Sequence, residues 1–264
     1  MPAFLGDWLM DRLKAGFCDA ANPFNPRQVR RVSLLPGDVD AIVFWSKNPA
    51  PLMPRLGEID ALGLRYYFLY TVNDYPPFLE PNVPPLADRL ATFRALAARL
   101  GPARVVWRYD PVLFSAGMGP AWHLERFGRI ADSLAGSCDT VIFSVLDWYA
   151  KTRRRLESIE RAGADRFERD VFARPDLLEA LASMARCARD HGMAVQACAE
   201  DGRMEACGIP AGKCVDDARI LRVLGVPVPA VKDKGQRPGC FCCVSRDIGT
   251  PGTCRHGCAY CYAQ

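Results

Sequence analysis

Apolar residues recur along this chain in two rhythms. Short runs rich in β-branched and aromatic side chains lie at residues 39–46, 65–72, 104–109, 140–145 and 194–199. Their length and composition predict buried strands. Between them, apolar residues fall at helical spacing over 52–62, 86–100, 121–135, 148–162 and 175–191. The clearest of these helices, 86–100, aligns Leu90, Phe93, Leu96, Ala97 and Leu100 on one side, and Gly192 is well placed to end the last one. An amphipathic helix at 6–16, with Trp8, Leu9, Leu13 and Phe17 on one side, opens the chain, and a short helix at 215–224 is expected in its tail. Asn22-Pro-Phe-Asn-Pro26 and the proline-rich stretch 74–85 read as loops, because proline fixes φ and removes a backbone donor.

Strands that alternate with helices imply parallel βα units joined by right-handed crossovers. The pattern predicts an α/β protein: a partial (β/α) barrel of about six parallel strands, one of them supplied by the tail. The barrel core is expected over residues 1–199, with residues 200–264 as a Cys-rich extension packed on it. A chain of 264 residues is long enough for one such domain with a full core. No apolar run reaches the ~18 residues of a membrane span, so no membrane partner is expected. The N-terminus lacks a basic segment followed by an apolar one, so no signal peptide is read and a cytoplasmic location is expected.

The twelve cysteines change the picture. In a reducing compartment they point to metal or catalysis, not to disulfides. Nine of them lie after residue 197, whereas Cys18, Cys138 and Cys187 are isolated in apolar or helical contexts and read as packed thiols. At the end of the chain, Cys254-Arg-His-Gly-Cys258-Ala-Tyr-Cys261 sets three cysteines at spacings of four and three, with Tyr260 before the last. Three thiolates on one loop can hold three corners of a 4Fe–4S cluster and leave the fourth iron open. The alternative is a zinc loop that borrows a fourth ligand, such as His256 or a distant cysteine. A second group, Cys198, Cys214, Cys240 and Cys242, would close a further cluster or a four-cysteine zinc site, with Cys207 and Cys243 as spares.

The net charge of +4, from 34 basic and 30 acidic residues, is too weak to argue for nucleic acid. The basic run Lys151-Thr-Arg-Arg-Arg155, followed by Glu157 and Glu160, reads as a solvated helix face.

In βα barrels the active site lies at the carboxyl ends of the strands. Those ends supply Ser46, Lys47 and Asn48; Thr71, Asn73 and Asp74; Arg108, Tyr109 and Asp110; Ser144 and Asp147; and Cys198 and Glu200. Lys47, Arg108 and Asp110 are the candidate catalytic residues. Arg108 could pair with Asp110 or with the carboxylate of a bound amino-acid cofactor, because a guanidinium offers two parallel donors.

The spacing of Cys254, Cys258 and Cys261, with Tyr260 before the third, resembles the signature of radical S-adenosylmethionine (SAM) enzymes. The resemblance implies that the open iron chelates SAM and that reductive cleavage yields a 5′-deoxyadenosyl radical. Tyr260 in the motif, and Asn73 and Ser144 at strand ends, are the candidate cofactor contacts, and the resemblance implies an electron donor such as a flavodoxin or ferredoxin. Asn22-Pro-Phe-Asn-Pro26, Phe44-Trp-Ser-Lys-Asn-Pro49, Trp107-Arg-Tyr-Asp-Pro111, Cys198-Ala-Glu200 and Asp247-Ile-Gly249 through Ala263 resemble the family called domain of unknown function 1848. That family is similar to a permuted radical SAM enzyme with the cluster loop at the end of the chain. Its members begin with an extra Ser/Arg/Asp-rich strand ahead of the Pro-Ala-Phe seen here at Pro2. Leu79-Glu-Pro-Asn-Val-Pro84, with Arg89 following, is also similar to the spore photoproduct lyase branch.

The sequence thus supports a radical SAM enzyme acting on an unknown small or macromolecular substrate. The alternatives are a non-catalytic zinc or iron–sulfur protein and, more weakly, a nucleic-acid repair or modification enzyme.

Overall fold

A computed structural model describes residues 2–22, 25–200 and 202–263. Helix α1 (Gly6–Ala15) ends at Gly16, whose φ of 77° closes the last turn in the left-handed region. Strands β1 (Phe17–Asn22) and β2 (Asn25–Ser33) then pair antiparallel. This ribbon departs from the sequence expectation. Its residues are mostly polar and exposed, so pairing rather than burial makes it a strand pair. Of the loop expected over 22–26, Pro23 and Phe24 lie outside the described residues.

The core of the molecule is a parallel sheet of β3 (Ile42–Ser46), β4 (Tyr66–Thr71), β5 (Val105–Val112), β6 (Thr140–Val145) and β7 (Ala194–Ala197). The spatial order follows the sequence order. The sheet holds five described strands against the six expected. At its far edge the tail adds one parallel bridge, between Ala197 and Ala211.

The crossovers are α2 (Leu56–Ala61, preceded by a 3-10 turn at Ala50–Arg55), α3 (Leu86–Leu100), α4 (Pro120–Leu134) and then, between β6 and β7, α5 (Ala150–Arg161) and α6 (Pro175–Asp190). A sequential strand order with right-handed crossovers sends the helices to one face. Tyr66, Phe68 and Tyr70 of β4, Trp107 and Tyr109 of β5 and Phe143 of β6 accordingly pack against Phe93 of α3, Phe127 and Ile130 of α4 and Leu181 and Met184 of α6. Burying such aromatics contributes roughly 2–3 kcal/mol each.

Strand side chains alternate in direction, so Tyr67, Leu69, Val106 and Ile142 point the other way. The tail covers them with Cys198, Cys214, Val215, Ile220, Val226, Cys240, Cys242 and Cys243. Helix α7 (Asp217–Leu224) is fastened there by buried Arg219, which donates to the Ala103 carbonyl, Asp139 and Thr140. The second face of the sheet is therefore lined by cysteines, an arrangement that no helix-only layering would produce. Among the described residues, no helix is long and apolar enough to cross a membrane.

Candidate metal centre at the carboxyl end of the sheet

The loop carrying Cys254, Cys258 and Cys261 folds back over the carboxyl end of the sheet. Ala259 N–H donates to the Leu79 carbonyl (2.9 Å), and Asn82 Nδ2 donates to the Arg255 carbonyl (3.1 Å). From the other side, Thr152 Oγ1 of α5 donates to the Tyr260 carbonyl (3.3 Å), and Arg155 donates to the Cys261 carbonyl. The basic run is thus divided: Lys151, Arg153 and Arg154 are exposed, while Thr152 and Arg155 hold the tail. Gly257, with φ of 70°, makes the turn, and a Cβ there would stand 3.2 Å from Pro81 Cγ. Only glycine combines that conformation with so close an approach.

A buried carboxylate lies beneath the loop. Glu80 Oε1 accepts from Lys47 Nζ (2.9 Å) and from the Tyr260 hydroxyl. Glu80 Oε2 lies 4.0 Å from Arg89 Nη1 and has no hydrogen-bond partner. Burial works against the charge of Glu80, but Lys47, the Tyr260 hydroxyl and Arg89 outweigh it and hold its carboxyl below the usual range. Tyr260 is edge-on to Tyr75 at 5.8 Å and lies under Lys47 Nζ at 5.5 Å. Lys47 follows β3, Tyr75 and Glu80 follow β4, and α5 follows β6, so three βα connections meet the loop.

The three thiols differ in exposure: Cys254 is exposed, Cys258 buried and Cys261 between the two. Desolvation pushes Cys258 up to about 11, opposed by Lys47, while Glu80, Cys261 and Cys254 push it further up. Desolvation likewise raises Cys261, and the charges of Arg155 and Lys47 lower it. His256, the candidate fourth ligand of a zinc loop, is buried with its Nδ1 3.0 Å from the Asn82 carbonyl, while its Nε2 has no hydrogen-bond partner.

The other candidate residues are placed as follows. Arg108 Nη2 pairs with Asp110 Oδ2 at 2.5 Å, and its guanidinium lies 5.7 Å over Trp45. Desolvation works to lower the Arg108 pKa, but Asp110, Cys214, Cys198 and Tyr262 outweigh it and raise it. Arg108 therefore faces the inner thiols as well as the last residues of the motif loop. Asn73 is fully buried, and its amide group is engaged by the backbone of Asp110 and Pro111, so it straps β4 to β5. Ser144 Oγ donates to Glu200 Oε1 (3.2 Å), which also accepts the Val145 N–H. Burial raises Glu200 to about 7, opposed first by that N–H. A cleft of about 200 Å³ opens beside Glu200, Asp147 and Arg203.

Cys198, Cys214, Cys240 and Cys242 do meet, on the inner face and not on the motif loop. Cys207 does not join them; it packs in the helix-side core with Met204 and Ile209. Among the described residues, no group of three or more His, Cys, Asp and Glu is spaced to receive a metal ion as it stands.

Sequence reasoning missed Glu80 and the seating role of Arg155. The segment Leu79-Glu-Pro-Asn was noticed for its likeness, but nothing in it signals a buried charge. Only the fold brings Lys47, Arg89 and Tyr260 onto one carboxylate.

The chain belongs to the family described as domain of unknown function 1848, whose family model matches residues 1–263. Comparison with curated proteins gave no match, and neither did comparison with solved structures.

Proposed function

We propose that this member of the family is an iron–sulfur enzyme of the radical SAM type, built on an open (β/α) barrel and acting on an unknown substrate. Cys254, Cys258 and Cys261 would hold the 4Fe–4S cluster, and SAM would take the open iron. The observation that carries this reading is the seating of a three-thiol loop on a largely buried Lys47–Glu80–Tyr260 group at the carboxyl end of a parallel sheet. The donor set suits iron–sulfur chemistry. Buried polar atoms without hydrogen-bond partners also gather on residues at this end, namely Glu80 Oε2, His256 Nε2, Arg108 Nε and Arg155 Nε. Bound there, the cluster would supply the electron that cleaves the sulfonium of SAM.

In this reading the protein's own residues orient and compensate charge. Lys47 and Arg155 are the cations beside Cys258 and Cys261. Glu80 fixes Lys47 and Tyr260 so that neither can swing away. Tyr75 and Trp122, stacked at 5.7 Å, wall the loop and exclude water. Asn73 acts by positioning, since its amide already binds backbone, while Ser144 lies beside the cleft at Glu200.

The test is anaerobic reconstitution with iron and sulfide, followed by dithionite and SAM. The expected result is about four irons per motif loop and release of 5′-deoxyadenosine, both abolished in Cys258→Ala. A fully loaded cluster that leaves SAM intact would refute the catalytic reading. Zinc on the motif loop in place of iron would favour the non-catalytic metalloprotein.

A further inference from the structure

Away from the motif loop, four thiols converge on the inner face of the sheet from three separate stretches of chain. Cys198 follows β7, Cys214 precedes α7, and Cys240 and Cys242 share one turn. Cys214 Sγ lies 2.9 Å from Cys198 Sγ. Cys242 and Cys240 pack in the same buried cluster as that pair, the thiols of Cys198, Cys214 and Cys240 favour a thiolate at Cys242, and the Cys242 sulfur accepts the backbone N–H groups of Cys214 (3.2 Å) and Val215 (3.3 Å). All four cysteines are buried, and the Arg108 guanidinium carries positive charge within their electrostatic reach. Cys243 packs in the same buried cluster and feels Cys242 as well as Asp217 and Lys213, but no hydrogen bond joins its thiol to the other four.

We propose that Cys198, Cys214, Cys240 and Cys242 form a four-thiolate site for a single metal ion, which clamps the tail onto the inner face of the sheet.

Distance decides between one ion and a cluster. Sulfurs at about 2.3 Å from a tetrahedral ion stand about 3.8 Å apart. The contact of 2.9 Å between Cys198 and Cys214 needs to open by only about 1 Å to admit it. A cubane would place iron and sulfide layers between the thiolates and force them much further apart. Charge is compatible with either occupant. A divalent ion with four thiolates carries a net negative charge, and the part-buried Arg108 guanidinium is a cation within its reach. The two N–H donors aimed at Cys242 would stabilise a thiolate there without further rearrangement. Binding exchanges thiol protons for the ion and involves no electron transfer.

The site is independent of the motif loop, and so is its test. The full chain carrying Cys254→Ala, Cys258→Ala and Cys261→Ala is produced in medium supplied with zinc and iron and purified without reconstitution. The expected content is one zinc or one iron per chain with no acid-labile sulfide, and X-ray absorption distinguishes the two metals while showing sulfur neighbours only. Cys242→Ser in that background should lower occupancy at least tenfold, and Cys243→Ser should leave it unchanged. If Cys242→Ser does not fold, stepwise mercurial titration of the folded parent should release one equivalent of metal. The proposal is overturned by a metal-free chain, by a Cys198–Cys214 disulfide, by several irons with matching sulfide, or by loss of metal on changing Cys243 but not Cys242.

Discussion

Replacing Glu80 with alanine asks whether a buried carboxylate seats the cysteine loop. The side chain is 2% exposed, and its partners Lys47 and Arg89 are 12% and 4% exposed. Removing it leaves two cations in a poorly solvated site and deprives the Tyr260 hydroxyl of its acceptor. Breaking a buried ion pair from one side costs about 3–5 kcal/mol, and the lost hydrogen bond adds about 1 kcal/mol. For a chain of this size that amounts to a fall in Tm of roughly 10 °C. Glu80→Gln preserves an acceptor for Tyr260 but not the charge, so it should lose about half as much. Adding Lys47→Met to Glu80→Ala should restore part of the loss, because one uncompensated cation goes with it.

The assay has two readouts on the metal-free, reduced chain. Urea unfolding followed by circular dichroism gives the stability. Mass-resolved thiol labelling compares Cys258, the buried thiol of the loop, with Cys138, buried in the helix-side core. Glu80→Ala should speed the labelling of Cys258 well before that of Cys138. A stability change under about 1 kcal/mol, with Cys258 still as protected as Cys138, would refute the idea that Glu80 holds the loop.

Two further outcomes are expected. His123 is fully buried; its Nε2 lies 3.1 Å from the Leu113 carbonyl, which can only accept, so its Nδ1 accepts a hydrogen bond from the Tyr109 hydroxyl (2.8 Å) and the ring is neutral. Desolvation lowers its pKa from 6.5 to about 4, partly opposed by the Leu113 carbonyl. The unfolded chain therefore takes up the proton first, and this stability, complete above pH 6.5, is lost as pH falls towards 4. At 1.36 kcal/mol per pH unit the loss is roughly 3 kcal/mol. The pair Tyr109→Phe with His123→Leu should flatten that limb in urea midpoints measured from pH 7 to 4, and an unchanged slope would remove His123 as its source. Gly257→Ala places a Cβ at positive φ beside Pro81 and Asn82; it should cost about 1–2 kcal/mol and raise Cys258 labelling, and a fully protected Cys258 would show that the turn tolerates a side chain.

Where punctuation and periodicity agreed, the elements were legible. The helix expected at 86–100 and the strand expected at 140–145 coincide with α3 and β6, because Pro85 and Gly101 bracket the first and a continuous apolar run makes the second. The helix expected over 52–62 is split into a 3-10 turn and a short α-helix, with Pro54 inside the turn. The ribbon of β1 and β2 was hidden, since its residues owe their extension to each other and not to burial. Asn73 looked like a site residue from its position after a strand; its contacts make it a strap between two strands.

Local composition by itself determined the alternation of strands and helices, the parallel class of the sheet and the crowding of thiols into the tail. These are properties of neighbours along the chain, read from a period of two or of 3.6. The two sets of cysteines were already separable along the chain; tertiary structure alone decided where each sits, one seated over the strand ends by Glu80 and one pressed to the inner face beside Arg108. Spacing states which residues could share an ion, but the reach of a thiol is a few ångströms. Only the path of the backbone in space determines which of twelve sulfurs come within it.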